Sequence, residues 1–335
     1  MSGGSRLRGA FAAGAAMLFG LVLVAVLLEI GLRVYAAIEP NVDVEFTRYA
    51  RAMKARTDSG VRFLHEANAH GHFFGVDVDT NSHGFRDAEI PAQKSPGEVR
   101  LGVLGDSVTF GWGVPYGQRF TELLEEKWSA ATGRPFVLVN TGHGNYNSVQ
   151  ELAMLREHLA DEPLDGLLQF WYINDAEPTP EYRSPPWFAR SRLAVFLWGK
   201  ADLLRRRAGA AATFVDYYRD LYDESAPGWA AFRDAIRGTG DTARERGLPW
   251  VFVILPEFHG FAADGPFRDV YDRVARLAAE AGAIVVRVEP AFVDVDPADI
   301  RVATNDVHPN ARGHAIIARA VAEAVDPRLW TEDGS

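Results

Sequence analysis

The sequence contains no cysteine and carries no excess of positive charge. Without cysteine, the 335-residue chain forms no disulfide, no thiolate metal site and no cysteine nucleophile. Its formal net charge of −10 argues against a broad nucleic-acid-binding surface, which needs clustered positive charge. The 47% of hydrophobic and 24% of charged residues are typical of a globular protein. A chain of this length holds one large domain or two small ones.

Residues 1–40 contain a long uncharged run. Residues 11–28 carry no charge, and the apolar character continues past Glu29 and Arg33 to Ile38. As a helix, the uncharged part is about 27 Å long, close to the hydrocarbon thickness of a bilayer. We therefore predict that residues 1–40 are an uncleaved membrane anchor. One alternative is a cleavable signal peptide, whose apolar region is usually only about 7–15 residues long. The other is a buried soluble helix, which the lack of a polar face disfavours.

The charges on either side of this run predict its orientation. Arg6 and Arg8 precede the run and favour a cytoplasmic N-terminus, since basic residues that flank a membrane helix tend to stay in the cytoplasm. Arg33 on the far side reduces this difference. The rest of the chain is therefore predicted to lie outside the cytoplasm, in a periplasm or at the cell surface.

Residues 41–96 are polar and irregular, and we predict a linker and N-terminal extension that becomes ordered toward its end. There, residues 81–86 form a turn-like cluster, which we expect to pack against the first strand of the following domain. His65, His70 and His72 raise the alternative of a metal site. No carboxylate or cysteine completes an obvious set of ligands, so we predict no metal and no other cofactor.

From residue 97 to about residue 330, short apolar runs alternate with segments of helical periodicity. The predicted strands are Val99–Leu104, Phe136–Asn140, Leu164–Ile173, Trp250–Leu255 and Ala283–Val288. The predicted helices are Arg119–Ala131, Val149–Ala160, Ala230–Arg246, Phe267–Ala281 and Ala311–Val325. The runs lack strict alternation of apolar and polar residues, as is typical of strands buried on both faces. The pattern predicts an α/β fold in which a mostly parallel five-stranded sheet lies between layers of helices.

Residues 176–228 interrupt this alternation. They are rich in proline and aromatic residues and contain the basic run Arg205-Arg206-Arg207. The segment is too long for a plain connection, so we predict an insertion, a lid or a small subdomain. Its aromatic and basic residues suit a membrane face or an acidic polymer. The alternative, which we favour, is that the aromatics form the insertion's own core and the arginines a solvated face.

A Gly-Asp-Ser turn follows the first predicted strand of this domain. Gly105, Asp106 and Ser107 place a hydroxyl at the C-terminal edge of the sheet, where open α/β sheets bind their ligands. The backbone N–H groups around a helix start suit a developing negative charge. The alternative for these residues alone is a helix cap.

A histidine near the C-terminus is a candidate base for this hydroxyl. His308 follows Asp306 by two positions and precedes Pro309 and Asn310, which can cap the next helix. In a parallel sheet this loop lies at the same edge as Ser107. A serine hydroxyl needs a base to become a good nucleophile, and a carboxylate on the other ring nitrogen of the histidine fixes its tautomer. A turn is the alternative reading of the His-Pro-Asn sequence by itself.

Three blocks in this order resemble those of the SGNH/GDSL hydrolase family, over about residues 81–325. They are Gly105-Asp106-Ser107, Asn174-Asp175 and the Asp-Val-His-Pro-Asn run at residues 306–310. The resemblance implies a flavodoxin-like three-layer α/β/α sandwich at residues 97–330, with the insertion at about residues 176–228. It also implies a serine esterase with Ser107 as nucleophile, His308 as base and Asp306 as the group that orients the base.

The resemblance also implies an oxyanion hole, and it has one departure from the family. The implied donors are the Ser107 N–H, the Asn174 side chain and a backbone N–H at Gly144 or Asn145, where the family carries glycine. Asparagine tolerates left-handed backbone angles better than most residues, so a donor at Asn145 is still expected. In the family the aspartate stands three positions before the histidine. Here that position is Asn305, which with a backbone carbonyl is the alternative to Asp306.

Two further histidines accompany these residues. His143 is expected close to the site, either contacting substrate or as a plain loop residue, and His314 is expected to be structural. The implied substrates are acyl esters, with O-acetyl esters of envelope glycans, exopolysaccharide or lipids foremost. The alternatives are an O-acyltransferase that uses the same site and a non-catalytic glycan-binding or assembly protein on the same fold.

Overall fold

The computed structural model describes residues 3–35, 41–182, 186–209, 213–259, 265–304 and 306–331. The chain divides into two compact units. The smaller unit consists of residues 1–51 and 184–210, and the larger consists of residues 52–183 and 211–335.

The helices and strands of the described residues are numbered in chain order. The strands are β1 (Lys54–Arg56), β2 (Phe63–His65), β3 (His70–Phe73), β4 (Val76–Asp79), β5 (Val99–Gly105), β6 (Phe136–Asn140), β7 (Gly166–Trp171), β8 (Trp250–Ile254) and β9 (Ile284–Arg287). The helices are α1 (Gly3–Tyr35), α2 (Val42–Met53), α3 (Ser107–Phe110), α4 (Phe120–Thr132), α5 (Ser148–Ala153), α6 (Arg192–Gly209), α7 (Phe214–Leu221), α8 (Pro227–Glu245), α9 (Arg268–Glu280), α10 (Pro297–Ile300) and α11 (Ala311–Ala324).

The larger unit is built on a parallel sheet of five strands in the order β6-β5-β7-β8-β9. Every residue of β5, β7 and β8 is buried, which explains why these strands show apolar runs rather than alternation. Helices flank the sheet, with α4 packed on α11 and α5 on α8. The predicted three-layer α/β/α fold is confirmed.

The strand order places a crevice beside β5. The chain runs from β5 to β6 on one side and then crosses to β7 on the other side. At such a reversal the connections diverge and leave a crevice at the carboxyl ends of the strands, where α/β proteins bind ligands. The segments that follow β5, β6 and β7 therefore come together at one edge of the sheet.

Most predicted elements lie where the sequence indicated, and two differ at their ends. The helix expected over residues 149–160 is α-helical only to Ala153, and residues Met154–His158 continue it as a π-helix. The strand expected over residues 164–173 ends at Trp171, because a 3-10 turn begins at Ile173 and takes up Asn174.

The prediction that residues 41–96 are mainly irregular is wrong. This segment contains α2 and two antiparallel hairpins, β1–β2 and β3–β4. Val61, Phe63, Phe85 and Ile90 are buried in the hydrophobic core of the larger unit. The strands here have only three or four residues, too few to show a hydrophobic period in the sequence.

The smaller unit contains α1 and α6, two parts of the chain that are far apart in sequence. The stretch Arg8–Tyr35 of α1 is long and apolar enough to cross a membrane, with a mean hydropathy of 2.6 and no buried part. A signal sequence meets the same criterion. Glu29 accepts hydrogen bonds from the Ser191 hydroxyl (2.9 Å) and the Leu193 N–H (2.8 Å), at the start of α6. The predicted insertion thus contributes α6 to this unit and α7 to the larger one.

The Arg205-Arg206-Arg207 run lies within the backbone of α6. Its side chains, for which the sequence predicted a solvated face, lie outside the described part of the structure.

Gly142, in the loop after β6, lies against the backbone of α3. A Cβ atom at this position would lie 2.4 Å from the Phe110 nitrogen and 2.7 Å from the Thr109 carbonyl carbon. We expect Gly142→Ala to destabilise the protein by about 1–3 kcal/mol, because the methyl group would collide with the backbone of α3, which must move to admit it. Thermal unfolding of the full chain in detergent measures this effect. Gly117→Ala is the control, since nothing lies within 4 Å of a Cβ there; equal melting temperatures for the two variants would contradict the prediction.

Candidate active site

Ser107 is the first residue of the short helix α3, which follows β5 directly. Asp106 caps this helix, and its Oδ1 accepts a hydrogen bond from the Val108 N–H (2.8 Å). The other end of α3 is held by Arg86, which is buried and donates to the carbonyls of Gly111 (2.6 Å) and Val114 (2.8 Å). The predicted 81–86 cluster therefore supports the turn that presents Ser107, rather than only packing on the strand.

His308 and Asp306 meet Ser107 at this edge of the sheet. His308 Nε2 lies 2.7 Å from Ser107 Oγ, and His308 Nδ1 is hydrogen-bonded to Asp306 Oδ1. The same carboxylate oxygen accepts the backbone N–H of His308 (2.9 Å), which is how an aspartate only two positions away reaches the ring. Asn305, the alternative partner, lies outside the described residues.

The electrostatics keep Asp306 ionised. Burial alone raises the pKa of this carboxyl, but the charge of His308 and the hydrogen bonds from its ring and backbone outweigh that effect and lower the pKa below its usual value. A carboxylate at this point accepts the Nδ1 proton, so that Nε2 is left free to accept a proton from Ser107. The arrangement is chemically able to activate a hydroxyl.

The predicted oxyanion donors follow β6 and β7. Asn145 adopts the left-handed conformation expected of it, with φ of 73°. Asn174 lies in the 3-10 turn after β7, and its side chain approaches the Asp106 carboxyl closely enough to lower the pKa of that group. Burial has the larger, opposite effect, so the pKa of Asp106 is raised overall. The site residues proposed from the sequence thus lie on the segments that follow β5, β6 and β7, together with the His308 loop.

The loop of Gly144 and Asn145 is supported from the N-terminal extension. Lys54 Nζ donates to the Gly144 carbonyl (2.6 Å) and to Asn145 Oδ1 (3.2 Å), and it lies 4.6 Å from the centre of the Phe63 ring. Burial lowers the pKa of Lys54 to about 7. The lysine therefore fixes the two residues at which a backbone oxyanion donor was predicted.

A stack of rings completes this support. His143 is buried between His65 (ring centres 3.8 Å apart) and Tyr146 (4.4 Å), and its Nδ1 lies 3.0 Å from the Gly144 carbonyl. Burial holds the pKa of His143 well below its usual value, so the ring is neutral. Of the two roles that the sequence allowed for His143, the structure favours that of a packed loop residue.

The histidines that raised the alternative of a metal site have other contacts. His65 is buried in the ring stack, while His70 and His72 pair with Asp79 and Asp77 across the β3–β4 hairpin. Among the described residues, no group of three or more histidine, cysteine, aspartate or glutamate side chains is placed to hold a metal ion. His314 is buried in α11, and its Nδ1 accepts the Phe120 N–H (3.1 Å), which is a structural role.

Three carboxyls, those of Asp106, Glu151 and Asp175, are buried in or near the turn that carries Ser107. Glu151 accepts a hydrogen bond from Gln169 (2.7 Å), and Asp175 accepts one from Ser148 (2.9 Å). Burial raises the pKa of both groups, and the negative charge of Asp106 raises both further. Within the described ranges, none of the three forms an ion pair that would offset this burial. Both carboxyls therefore hold their protons to a higher pH than a solvated carboxyl does, and the pKa of Glu151 is raised to about 8.

Lys54 and Glu151 were not predicted from the sequence. Lys54 lies about 90 positions before the loop that it contacts, and spacing along the chain carries no signal for such a contact. For Glu151 the sequence offered one weak indication, because it is an acidic residue on the inner side of a predicted helix. Arg86 belonged to a recognised cluster, but its target, the end of α3, depends on tertiary structure.

Comparison with known proteins assigns the chain to a family. The sequence profile of the GDSL-like lipase/acylhydrolase family matches residues 103–316. A two-domain esterase active on acetylated mannans superposes with a TM-score of 0.46 and 16% identity, covering 71% of this chain and 51% of its own. The chain thus spans about half the length of that esterase.

Two further enzymes are similar over nearly their whole length. An α/β hydrolase from the metagenome of Lake Arreo, Spain, has a TM-score of 0.44 and 21% identity, covering 68% of this chain and 94% of its own. An acetylxylan esterase from Geobacillus stearothermophilus has a TM-score of 0.45 and 19% identity, covering 68% of this chain and 93% of its own. No curated protein matches the sequence.

The protonated state of Glu151 predicts a pH dependence of stability. Because the pKa of Glu151 is higher in the folded protein than in the unfolded chain, protonation of this carboxyl favours the folded state. This contribution to stability is complete below the unfolded-state pKa and is lost as the pH rises through the folded-state pKa. Such a group lowers the free energy of unfolding by up to about 1.4 kcal/mol per pH unit in that window. Glu151→Gln mimics the protonated form. Between pH 5.5 and pH 8.5, a range of about three units that covers this window, we expect the variant to lose less stability than the wild type.

Denaturation of the full chain in detergent at both pH values measures this difference. Glu126→Gln on α4 is the matched control, because Glu126 is exposed. Parallel pH profiles for the wild type and Glu151→Gln would show that Glu151 is ionised in the folded protein.

Proposed function

The chain belongs to the GDSL-like lipase/acylhydrolase family, and on that basis we propose that it is an ester hydrolase that acts through an acyl-enzyme formed on Ser107. The observation that carries this proposal is the 2.7 Å contact between Ser107 Oγ and His308 Nε2, with Asp306 on the opposite ring nitrogen. An imidazole in this position is a general base within hydrogen-bond reach of the nucleophile.

The proposed reaction has two halves. In the first, Ser107 Oγ attacks the ester carbonyl carbon while His308 Nε2 takes the hydroxyl proton, and His308 then gives this proton to the departing alcohol. In the second, a water molecule loses a proton to His308 and attacks the acyl-enzyme, and Ser107 leaves with the proton restored. Asp306 stabilises the imidazolium in both halves and remains ionised, as its lowered pKa supports.

The oxyanion of each tetrahedral intermediate needs donors that are already in place. We propose the backbone N–H of Ser107, the side-chain amide of Asn174 and a backbone N–H at Gly144 or Asn145. The left-handed conformation of Asn145 and the two hydrogen bonds from Lys54 to this loop support the third donor.

A small cavity beside these donors supports a short acyl group. It has a volume of about 60 Å³ and is lined by residues that include Asn145, Asn174 and Tyr146. A cavity of this size next to the proposed donors has room for an acetyl group. We propose O-acetyl esters as substrates, in keeping with the expectation from the sequence.

We propose that the apolar part of α1 anchors the enzyme in a membrane, with residues 97–330 as the catalytic domain. Length and composition of Arg8–Tyr35 support the anchor. Arg6 and Arg8 support a cytoplasmic N-terminus and hence a catalytic domain outside the cytoplasm. Acylated envelope glycans, exopolysaccharide or lipids are the substrates that such a location makes accessible.

Substitution of the nucleophile or the base tests the mechanism. We expect Ser107→Ala and His308→Ala each to lower kcat for p-nitrophenyl acetate by about 10⁴–10⁶-fold, since residues of such a unit depend on one another. The assay uses the full chain in detergent, and wild-type turnover of the octanoate ester is expected to be slower than that of the acetate. Ser225→Ala is the control, since Ser225 is exposed and its hydroxyl donates to the neighbouring Asp223 carboxylate. Substantial activity of a folded His308→Ala variant would overturn the assigned base.

Two asparagine variants distinguish a side-chain donor from a backbone donor. Asn174→Ala is expected to lower kcat by about 10²–10³-fold with little change in KM, because it removes a donor that acts on the transition state. Asn145→Gly is expected to keep most of the activity, since glycine retains the backbone N–H and adopts the positive φ readily. An equal loss of kcat in both variants would mean that the Asn145 side chain itself acts in the reaction.

A further inference from the structure

The smaller unit contains a cavity of about 350 Å³ that is lined by five arginines. They come from three parts of the chain: Arg33 from α1, Arg48 and Arg51 from α2, and Arg190 and Arg192 from the start of α6 and the turn before it. Val44, Ala189 and Val195, which form a small buried cluster, also line the cavity. The fold thus gathers cations around a pocket with an apolar part.

The positive charge of this pocket is only partly compensated. Arg33 pairs with Glu29 (2.8 Å) and Arg48 pairs with Glu45 (2.5 Å). Within the described part of the chain, Arg51, Arg190 and Arg192 form no ion pair. Burial and the nearby charge of Arg48 lower the pKa of Arg192, which shows that the cations repel one another across the pocket. Their mutual repulsion is relieved by an anion, and arginine binds phosphate through several charge-assisted hydrogen bonds.

The pocket lies close to the end of the proposed membrane anchor. If residues 11–28 span the hydrocarbon core, Arg33 lies about 7 Å beyond it, within the headgroup layer of a bilayer. The Glu29 side chain accepts hydrogen bonds from Ser191 and Leu193, which ties the start of α6 to the same depth. The arginines of the turn and of α6 are therefore held at the level of lipid headgroups.

An apolar groove continues from the arginine pocket. This second cavity, of about 840 Å³, shares Arg51 and Arg190 with the first and is otherwise lined largely by Pro186, Trp187, Phe188 and Ala194. Trp187 is 89% exposed, and tryptophan is the side chain enriched at membrane interfaces. A free phosphate ion would need only the arginines, whereas a lipid presents an anionic headgroup next to apolar chains.

We propose that the arginine pocket binds the phosphate-bearing headgroup of an anionic phospholipid, with the lipid's apolar part in the groove beside Trp187. The depth argument rests on the anchoring proposed above. The binding chemistry does not depend on the esterase mechanism, because every residue invoked here belongs to residues 1–51 and 184–210. Anionic phospholipid occurs in both leaflets of many membranes, so the proposal holds for either orientation of α1.

The test measures lipid retention by the full chain in a nonionic detergent, using native mass spectrometry. The probes are phosphatidylglycerol, phosphatidylcholine and inorganic phosphate. We expect phosphatidylglycerol to be retained at a concentration about ten-fold lower than phosphatidylcholine, whose choline cation the arginines repel. Arg51→Gln combined with Arg190→Gln is expected to abolish this preference, since both side chains line both cavities and both are exposed.

Arg237→Gln combined with Arg244→Gln is the matched control, because these two exposed arginines lie on α8 in the larger unit. Thermal unfolding of each variant reports whether it is folded. The Ser107→Ala variant is expected to retain phosphatidylglycerol as the wild type does, which separates this proposal from the mechanism.

Three results would each overturn the proposal. The first is equal retention of the two lipids by the wild type. The second is unchanged selectivity in the folded Arg51→Gln, Arg190→Gln variant. The third is displacement of phosphatidylglycerol by inorganic phosphate at equal concentration, which would identify a site for a free anion instead.

Discussion

The hydrogen bond between Ser107 Oγ and His308 Nε2 joins residues 201 positions apart, and it depends on the register of the whole parallel sheet. Ser107 follows β5, near the centre of the sheet, whereas His308 lies on a loop just before α11. Each parallel strand needs a crossover to reach its neighbour, so several helices must pack correctly before the two side chains meet. The extensive burial of β5, β7 and β8 supplies the hydrophobic stabilisation that holds this geometry.

Several polar groups around the site find hydrogen-bond partners in a surrounding layer that the hydrophobic core alone would not provide. Arg86 donates to the carbonyl of Gly111 at the end of α3, and Lys54 donates to the carbonyl of Gly144 in the loop after β6. The carboxyls of Glu151 and Asp175 accept hydrogen bonds from Gln169 and Ser148. Buried polar groups without partners cost free energy, so each of these contacts stabilises the turn or loop that it meets. The N-terminal extension, through Lys54 and Arg86, is in this sense part of the site.

The fold was largely predictable from the sequence because strands buried on both faces leave continuous apolar runs. Phe136–Asn140 is a strand with the predicted bounds, and the fold class followed from the alternation of such runs with helices. The positions of Ser107, Asp306 and His308 relative to one another were also predictable, because each follows or precedes a recognisable element. The structure of residues 41–96 was not predictable, since strands of three or four residues are too short to show a hydrophobic periodicity in the sequence. Contacts such as that of Lys54 with Gly144, and the arginine pocket, arise between distant segments and leave no local pattern.

The chemistry proposed for the two units is separable because, among the described residues, the reaction and the lipid site are assigned to different sets of side chains. The Ser107–His308–Asp306 cluster, its proposed oxyanion donors and its supporting residues belong to the larger unit, while the arginine pocket and the apolar helix belong to the smaller. Substitutions in groups that share no partner usually have additive effects on free energy. Turnover of a small soluble ester therefore reports on the larger unit alone, whereas lipid selectivity reports on the smaller. Action on a membrane-bound substrate would depend on both, since the proposed anchor would restrict the protein to the region near the bilayer and would raise the effective concentration of esters found there.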